Sequence, residues 1–325
     1  MNNEKRSLSS LLASGEQIIA PCIWDCFSAR VAELTDFKAA LVSSAAVAYS
    51  ITGLPDVGLL TADEMIGIVT RISASSPLAL VIDCEGGYGD TPLHAYRTVR
   101  RLALAGAGAV MISDQCGLSG VERVLYKGKW NAENWSSFKS LPTKDWLAKI
   151  KASVEAVKDT DCMVIARTES WYGSGLSEAI MRSKLALKLG VDMILICGIT
   201  TQEECERINC ELPDCWKMYP DIVSHCGKPD VEFDTMLECG FNLVSLHCLE
   251  KGAMWGMLDY GEHTFADRNT LYIDQQDMWD KGVFHWFDQV PYYVDFKKWM
   301  DFEKSCYDKA RQSTANNESK IRRGI

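Results

Sequence analysis

The chain has 325 residues, 47% of them hydrophobic, and a net charge of −10. That length and apolar content suit one large α/β domain of barrel size, and the acidic balance excludes a nucleic-acid-binding surface. The longest mainly apolar stretch, residues 39–54, is interrupted by Ser43, Ser44, Tyr49, Ser50 and Thr52, which makes it too short and too polar to span a membrane.

At the start of the chain Lys5 and Arg6 are followed by no apolar run, so the segment does not read as a signal peptide and a cytoplasmic protein is expected. Short apolar runs then recur. The candidate strands are 17–24, 39–43, 78–83, 109–113, 162–168, 193–197, 216–219 and 243–247. Helical spacing of apolar residues fills the gaps at 62–72, 93–105, 143–157, 176–189 and 229–239. Asp90-Thr91-Pro92 and Pro142-Thr143 read as helix starts. Eight strands alternating with helices predict a (β/α)₈ TIM-type barrel over 1–258. The longest connection, 115–141, carries Lys127, Lys129, Lys139, Trp130 and Trp135 and has the length of a lid. From 259 to 325 the chain becomes rich in aromatic and charged residues, among them Trp279, Phe284, His285, Trp286, Tyr292 and Tyr293. This is a helical extension expected to pack on the barrel or on a neighbouring subunit, with polar residues after Gln312 expected to fray. The 13 cysteines include several inside apolar runs, where they act as small hydrophobes. Without an export signal they read as reduced thiols, and no Cys-x-x-Cys pair in the 197–226 cluster points to zinc.

In such a barrel, chemistry gathers at the C-terminal ends of the strands. Those ends read Trp24-Asp25, Ser43-Ser44, Asp83/Glu85, Ser113-Asp114, Arg167-Thr168-Glu169 and Cys197. The third is the most informative: an apolar strand closes on Asp83-Cys84-Glu85-Gly86-Gly87-Tyr88-Gly89. Two carboxylates two residues apart share one face of a strand. The pair suits Mg²⁺, a hard cation that leaves part of its shell to water and substrate. The bland alternative is a solvated strand-to-loop turn. His247, at the end of the eighth candidate strand, is the best histidine for acid/base work.

At these residues the chain resembles the phosphoenolpyruvate mutase/isocitrate lyase superfamily. Asp25-Cys26-Phe27-Ser28-Ala29-Arg30 is similar to D-x-x-S-A-R, and Ser43-Ser44-Ala45-Ala46 to the second-strand turn. Gly53-Leu54-Pro55-Asp56 is similar to G-x-x-D, and 83–89 to D-x-D-x-G-[YF]-G. Ala166-Arg167-Thr168-Glu169 is similar to A-R-T-D or A-R-V-E, and Gly190-Val191-Asp192 to G-A-D. The resemblance implies Mg²⁺ or Mn²⁺ at the barrel mouth and a small anionic carboxylate substrate. It implies cleavage or formation of a C–C or P–C bond beside it through a pyruvate-enolate-like species. Asp83 would bind the metal directly, with Glu85 and Asp56 holding metal-bound waters. The amides of Ser44, Ala45 and Ala46 would cradle the substrate carboxylate, and Arg167 would grip an anionic group. Trp24, Asp25 and Cys197 would complete the substrate site, with Ser44, Asp56 and Arg167 carrying the chemistry. C-terminal helices packing between subunits would make a homo-oligomer, a dimer or tetramer.

The chain also departs from the pattern. Glu85 replaces an aspartate, and Ser113 stands where a glutamate supports the metal shell. The lyase loop motif K-[KR]-C-G-H is absent, its positions reading Val121-Glu122-Arg123-Val124-Leu125, and so is the mutase motif. Glu169 leans toward the mutases, Thr168 and Asp114-Gln115 toward the lyases. Three functions stay open: a metal-dependent C–C lyase or decarboxylase, a phosphonate P–C mutase or hydrolase, and a family member whose metal chemistry has decayed, acting as a binding protein.

Overall fold

Alternation along the apolar runs decides which side chains fill the centre of the molecule. A computed structural model describes residues 5–56, 58–116, 140–220, 224–225, 228–272 and 296–322. Eight parallel strands close into a barrel: β1 (Ile18–Ile23), β2 (Ala39–Val42), β3 (Ala79–Asp83), β4 (Ala109–Ser113), β5 (Met163–Thr168), β6 (Met193–Ile196), β7 (Trp216–Tyr219) and β8 (Phe241–Leu246). β1 closes the ring against β8, pairing Ile18 with Leu243 and Ile19 with Val244. Every second residue faces the interior, so Ala79 and Val81, Ala109 and Met111, Met163 and Ile165, Met193 and Leu195 form an inner cluster. Leu80, Ile82, Val110, Val164 and Ile194 face outward and build a second layer with the helices. Helix α1 (Leu8–Ala13) joins Leu8 and Leu12 to the inner cluster. Lys5 donates to Ser73 Oγ and Arg6 to the Phe37 carbonyl, tying the N-terminal arm to the chain beside the strand starts.

The helices that follow the strands start where local chemistry caps them. Helix α2 (Cys26–Leu34) begins with a capping box of Asp25 and Ser28, and α3 (Ser44–Thr52) begins at Ser43. Helices α4 (Ala62–Ser75) and α5 (Pro92–Ala105) have boxes of Thr61/Glu64 and Thr91/His94, with Pro92 in the first turn of α5. Helix α6 (Thr143–Val157) packs along α5, and α7 (Trp171–Ser174) and α8 (Leu176–Leu187) follow β5. Helices α9 (Gln202–Glu211) and α10 (Phe233–Glu238) flank β7 in the chain.

Most element boundaries differ from the sequence reading by a residue or a few, and some differ by more. The helix expected over 229–239 shrinks to α10, because Lys228–Pro229 pairs with Ser224–His225 as a short antiparallel hairpin. The last barrel strand starts at Phe241 and ends before His247. The chain divides into two compact units, Met1–Met254 and Trp255–Ile325. Helix α11 (Cys248–Asp267) begins in the first, and the second contains the 27-residue helix α12 (Phe296–Arg322). Helix α12 continues past Gln312, where the polar composition predicts fraying. Most of the 115–141 connection and the aromatic cluster from Trp279 to Tyr293 lie outside the described residues. No helix among the described residues is long and apolar enough to cross a membrane.

Candidate active site

The same alternation that packs the barrel carries polar side chains onto its inner face at the C-terminal end. Beyond Val81 comes Asp83, beyond Ile165 Arg167, beyond Leu195 Cys197, and beyond Met111 Ser113. Arg167 is only 9% exposed and holds two carboxylates. Its Nη1 donates to Asp83 Oδ2 at 3.0 Å and its Nη2 to Glu169 Oε1 at 2.6 Å, Glu169 being fully buried. The Ser44 hydroxyl, at the start of α3, donates to the same Asp83 oxygen at 3.2 Å. Three strand ends thus converge on one carboxylate. A buried arginine flanked in this way is held by paired charge; removing one partner leaves the other uncompensated.

Glu85 lies beyond the strand in a turn of unusual backbone. Its φ is +50°, Gly87 follows at +88° and Tyr88 at +52°. A Cβ on Gly87 would meet Ala95 Cα at 2.9 Å, so this position of the turn requires glycine. The Glu85 amide donates to Asp83 Oδ1 and its carbonyl accepts from the Ser113 amide at 2.8 Å. Burial, then Asp83 and Asp56, push the Glu85 carboxyl up to about 8, against the opposite pull of Arg167 and the Ser44 hydroxyl. The mouth therefore holds more carboxylate than cation.

The turn is fixed from outside by a residue the sequence reading did not single out. Lys149, on α6 and 5% exposed, donates to the carbonyls of Gly86 at 2.9 Å and Gly89 at 2.7 Å, and burial lowers its proton affinity. The signal was available. Lys149 lies on the buried stripe Trp146, Lys149, Ile150, Ser153, where an uncompensated ammonium is costly. Arg182 of α8 was missed in the same way. It donates to Asp114 Oδ2 at 3.0 Å, to Glu178 Oε1 at 2.9 Å and to the Leu141 carbonyl at 2.7 Å. Asp114 also accepts from the Thr168 hydroxyl and the Glu169 amide. Burial nevertheless lifts the Asp114 carboxyl to about 6, against the pull of those donors.

The remaining sequence candidates take varied places. Asp25 Oδ1 accepts from the Ser28 amide at 2.7 Å, so one oxygen of this carboxylate serves the helix start. The Trp24 amide donates to Ser28 Oγ, and the Trp24 side chain is half-buried against the outer cluster. Among the amides at the start of α3, that of Ala46 is taken by Ser43 Oγ at 3.3 Å, while Ser44 and Ala45 occupy first-turn positions that have no intrahelical acceptor. Asp56 is partly buried in the connection after α3 and acts on Glu85 through its charge. Cys197 is buried just past β6, its amide donating to the Thr168 carbonyl at 2.9 Å. Ser113 is fully buried, and its Oγ accepts from the Gln115 amide at 3.0 Å. His247 Nδ1 sits 2.7 Å from Glu250 Oε2 in the first turn of α11.

The donor set fits a hard divalent cation. Asp83 at the end of β3 and Glu85 in the turn beyond it are oxygen donors, and burial together with the neighbouring carboxylates, which raises the Glu85 carboxyl, opposes a charge that a cation would favour. Among the described residues no three His, Cys, Asp or Glu side chains gather into a cage. An ion held here would take much of its shell from water and ligand oxygens, as Mg²⁺ commonly does.

Comparison with known proteins agrees with this architecture. The sequence profile of the family described as phosphoenolpyruvate phosphomutase matches residues 8–258. The petal death protein of Dianthus caryophyllus is 32% identical over 211 residues, 63% of this chain and 61% of that protein. An oxaloacetate decarboxylase of Paraburkholderia xenovorans is 30% identical over 206 residues, 63% and 65% of the two chains. The match thus spans just under two thirds of the length of these curated relatives. The crystal structure of a 2,3-dimethylmalate lyase superposes with a TM-score of 0.72 over 93% of this chain and 98% of that one, at 24% identity, which shows the shared fold. With the profile covering the whole barrel, the chain belongs to the phosphoenolpyruvate mutase/isocitrate lyase superfamily.

Proposed function

We propose that this protein is a divalent-metal-dependent enzyme that cleaves or forms a C–C bond next to a 2-oxo or 2-hydroxy carboxylate, in the lyase or decarboxylase sense. The observation that carries the reading is the convergence of Ser44, Asp83 and Arg167 on one point of the barrel mouth, next to the turn that carries Glu85. Relatives bear the names oxaloacetate decarboxylase, 2,3-dimethylmalate lyase and 2-methylisocitrate lyase, and the substrate class is taken from them. Mg²⁺ or Mn²⁺ at Asp83, with Glu85 and Asp56 on its waters, would supply Lewis-acid stabilisation of the charge that develops on the 2-oxo oxygen.

The chain's own residues supply the rest. The first-turn amides of Ser44 and Ala45 are donors placed for a carboxylate. The Arg167 fork, anchored on Glu169, presents planar donors to an anionic group. Trp24 and Cys197, just past the ends of β1 and β6, would complete the substrate site. The reading includes a cytoplasmic setting, supported by free thiols at the described cysteines, and a homo-oligomer, supported by exposed Trp255, Met257 and Phe265 on α11.

The test is calorimetry with Mg²⁺ and oxalate, a mimic of the pyruvate enolate, followed by assays for pyruvate release from oxaloacetate, 2,3-dimethylmalate and 2-methylisocitrate. Mg²⁺-dependent oxalate binding that Asp83→Ala abolishes supports the assignment; equal binding by both proteins refutes it. A second reading, a phosphonate P–C mutase, draws on Glu169 after Arg167 and on a relative named carboxyvinyl-carboxyphosphonate phosphorylmutase. A ³¹P resonance assay on phosphonopyruvate separates the two.

A further inference from the structure

Tyr88 carries two features that its place in the barrel does not explain. Its hydroxyl is buried and has no hydrogen-bond partner, a state that folded proteins avoid because a desolvated donor loses its water and gains nothing. Its backbone sits at φ +52°, a left-handed conformation that is an outlier for a bulky residue. Phenylalanine would pack the same ring against the outer cluster without burying an idle hydroxyl. Tyr88 itself stands on the turn that leaves the C-terminal end of β3. Tyr88 is three residues past Glu85, in the turn that Lys149 and Thr98 grip through the carbonyls of Gly86, Gly89 and Gly87. Burial, then the charges of Cys84, Glu85, Asp83 and Asp56, push the phenol well above its ordinary range, so the hydroxyl keeps its proton as a donor.

Strain and an orphaned donor side by side are what a site holds when its missing partner is a ligand. We infer that the Tyr88 hydroxyl is a further ligand-binding group of the candidate site, donating a hydrogen bond to an oxygen that arrives with the metal and carboxylate. That oxygen belongs either to the carboxylate itself or to a water carried in by the ion. The inference rests on the metal–carboxylate reading proposed above. It extends that reading to a residue on the turn and gives the tyrosine a specificity role: ligands lacking an acceptor at that point leave the hydroxyl unpaired.

The experiment compares the wild-type protein with Tyr88→Phe, which keeps the ring and removes only the hydroxyl. Two quantities are read: the melting temperature of the unliganded protein, and the affinity for Mg²⁺ alone and for oxalate at saturating Mg²⁺. The expected result is an unliganded melting temperature equal to or above that of wild type, because the lost group had no partner, with oxalate binding weakened about 10- to 100-fold, the range of a hydrogen bond to a charged group. Weakening already present with Mg²⁺ alone assigns the acceptor to a metal-held water; weakening only with oxalate assigns it to the carboxylate. A lowered melting temperature shows a structural partner and overturns the inference, as does oxalate affinity equal to wild type, which leaves the site reading standing. If wild type itself binds neither Mg²⁺ nor oxalate, the site reading falls and this inference with it.

Discussion

Arg167 and Asp114 show how single charged residues are held inside this barrel, and each makes a measurable prediction. Arg167 divides its fork between Asp83 and Glu169. A lysine keeps the charge but cannot reach both carboxylates with parallel donors. Arg167→Lys should lower kcat/KM by roughly one to three decades, about 1.4 kcal/mol per decade; an unchanged kcat/KM would make the arginine structural. Asp114 answers to pH. Burial raises its carboxyl from 3.8 to about 6, so between those values the folded chain holds a proton that the unfolded chain has released. This contribution to stability is full below the unfolded value and is lost as pH rises through about 6. Asp114→Asn cannot titrate. The stability advantage of wild type over this variant should therefore shrink between pH 5 and 7.5, measured by denaturant unfolding. A constant difference across that range would show that Arg182 keeps Asp114 ionised throughout. The variant should also be less stable overall by roughly 3 kcal/mol, because Arg182 loses a buried partner.

The elements divide into those whose sequence carries its own instructions and those shaped by distant neighbours. The eight barrel strands were legible because each pairs an apolar run with flanking turn or cap residues, and β4 and β7 run over the residues expected. Helix starts at Thr91 and Pro142 were legible for the same local reason. The hairpin at Ser224–Pro229 was not, since its pairing cuts into a stretch with helical spacing. In the site, Asp83 and Arg167 could be read from strand ends, because position on a strand fixes the direction of a side chain, whereas Glu85, expected on the same strand face as Asp83, lies in the turn beyond β3 with a left-handed backbone. Lys149 and Arg182 could not be assigned their partners from sequence alone: Gly86 and Gly89 lie 60 and more residues from Lys149, and Asp114 lies 68 from Arg182. The clamp between α6 and the turn can be tested. Lys149→Met fills the space but strands two carbonyls, so it should cost about 2 kcal/mol or more of stability. It should also weaken Mg²⁺–oxalate binding, as the turn carrying Glu85 loses its tether. Normal oxalate affinity in a destabilised variant would mean that the turn keeps its shape without the clamp.

At the scale of the whole molecule the two compact units bury their apolar residues unequally. The barrel encloses its apolar side chains in two layers, and its N-terminal arm closes on the strand starts. The second unit ends in a long helix with a different balance. Among the described residues of α12, Phe296 is 52% exposed, Trp299 54%, Met300 55% and Tyr307 61%. Their spacing of three, one and seven places them along one stripe of the helix. An apolar stripe of this kind gains free energy when another surface covers it, at about 25 cal/mol per Å² removed from water. A second copy of the chain presents the same stripe, and symmetric pairing would cover both at once. The expected outcome is a dimer or tetramer by sedimentation velocity at micromolar concentration. The double variant Trp299→Asp/Met300→Glu should shift it toward monomer by setting charge in the middle of the stripe, while leaving the far-ultraviolet helical signal in place. If the double variant sediments as wild type does, α12 is not the contact that assembles the protein; if wild type is itself a monomer, the oligomer is refuted.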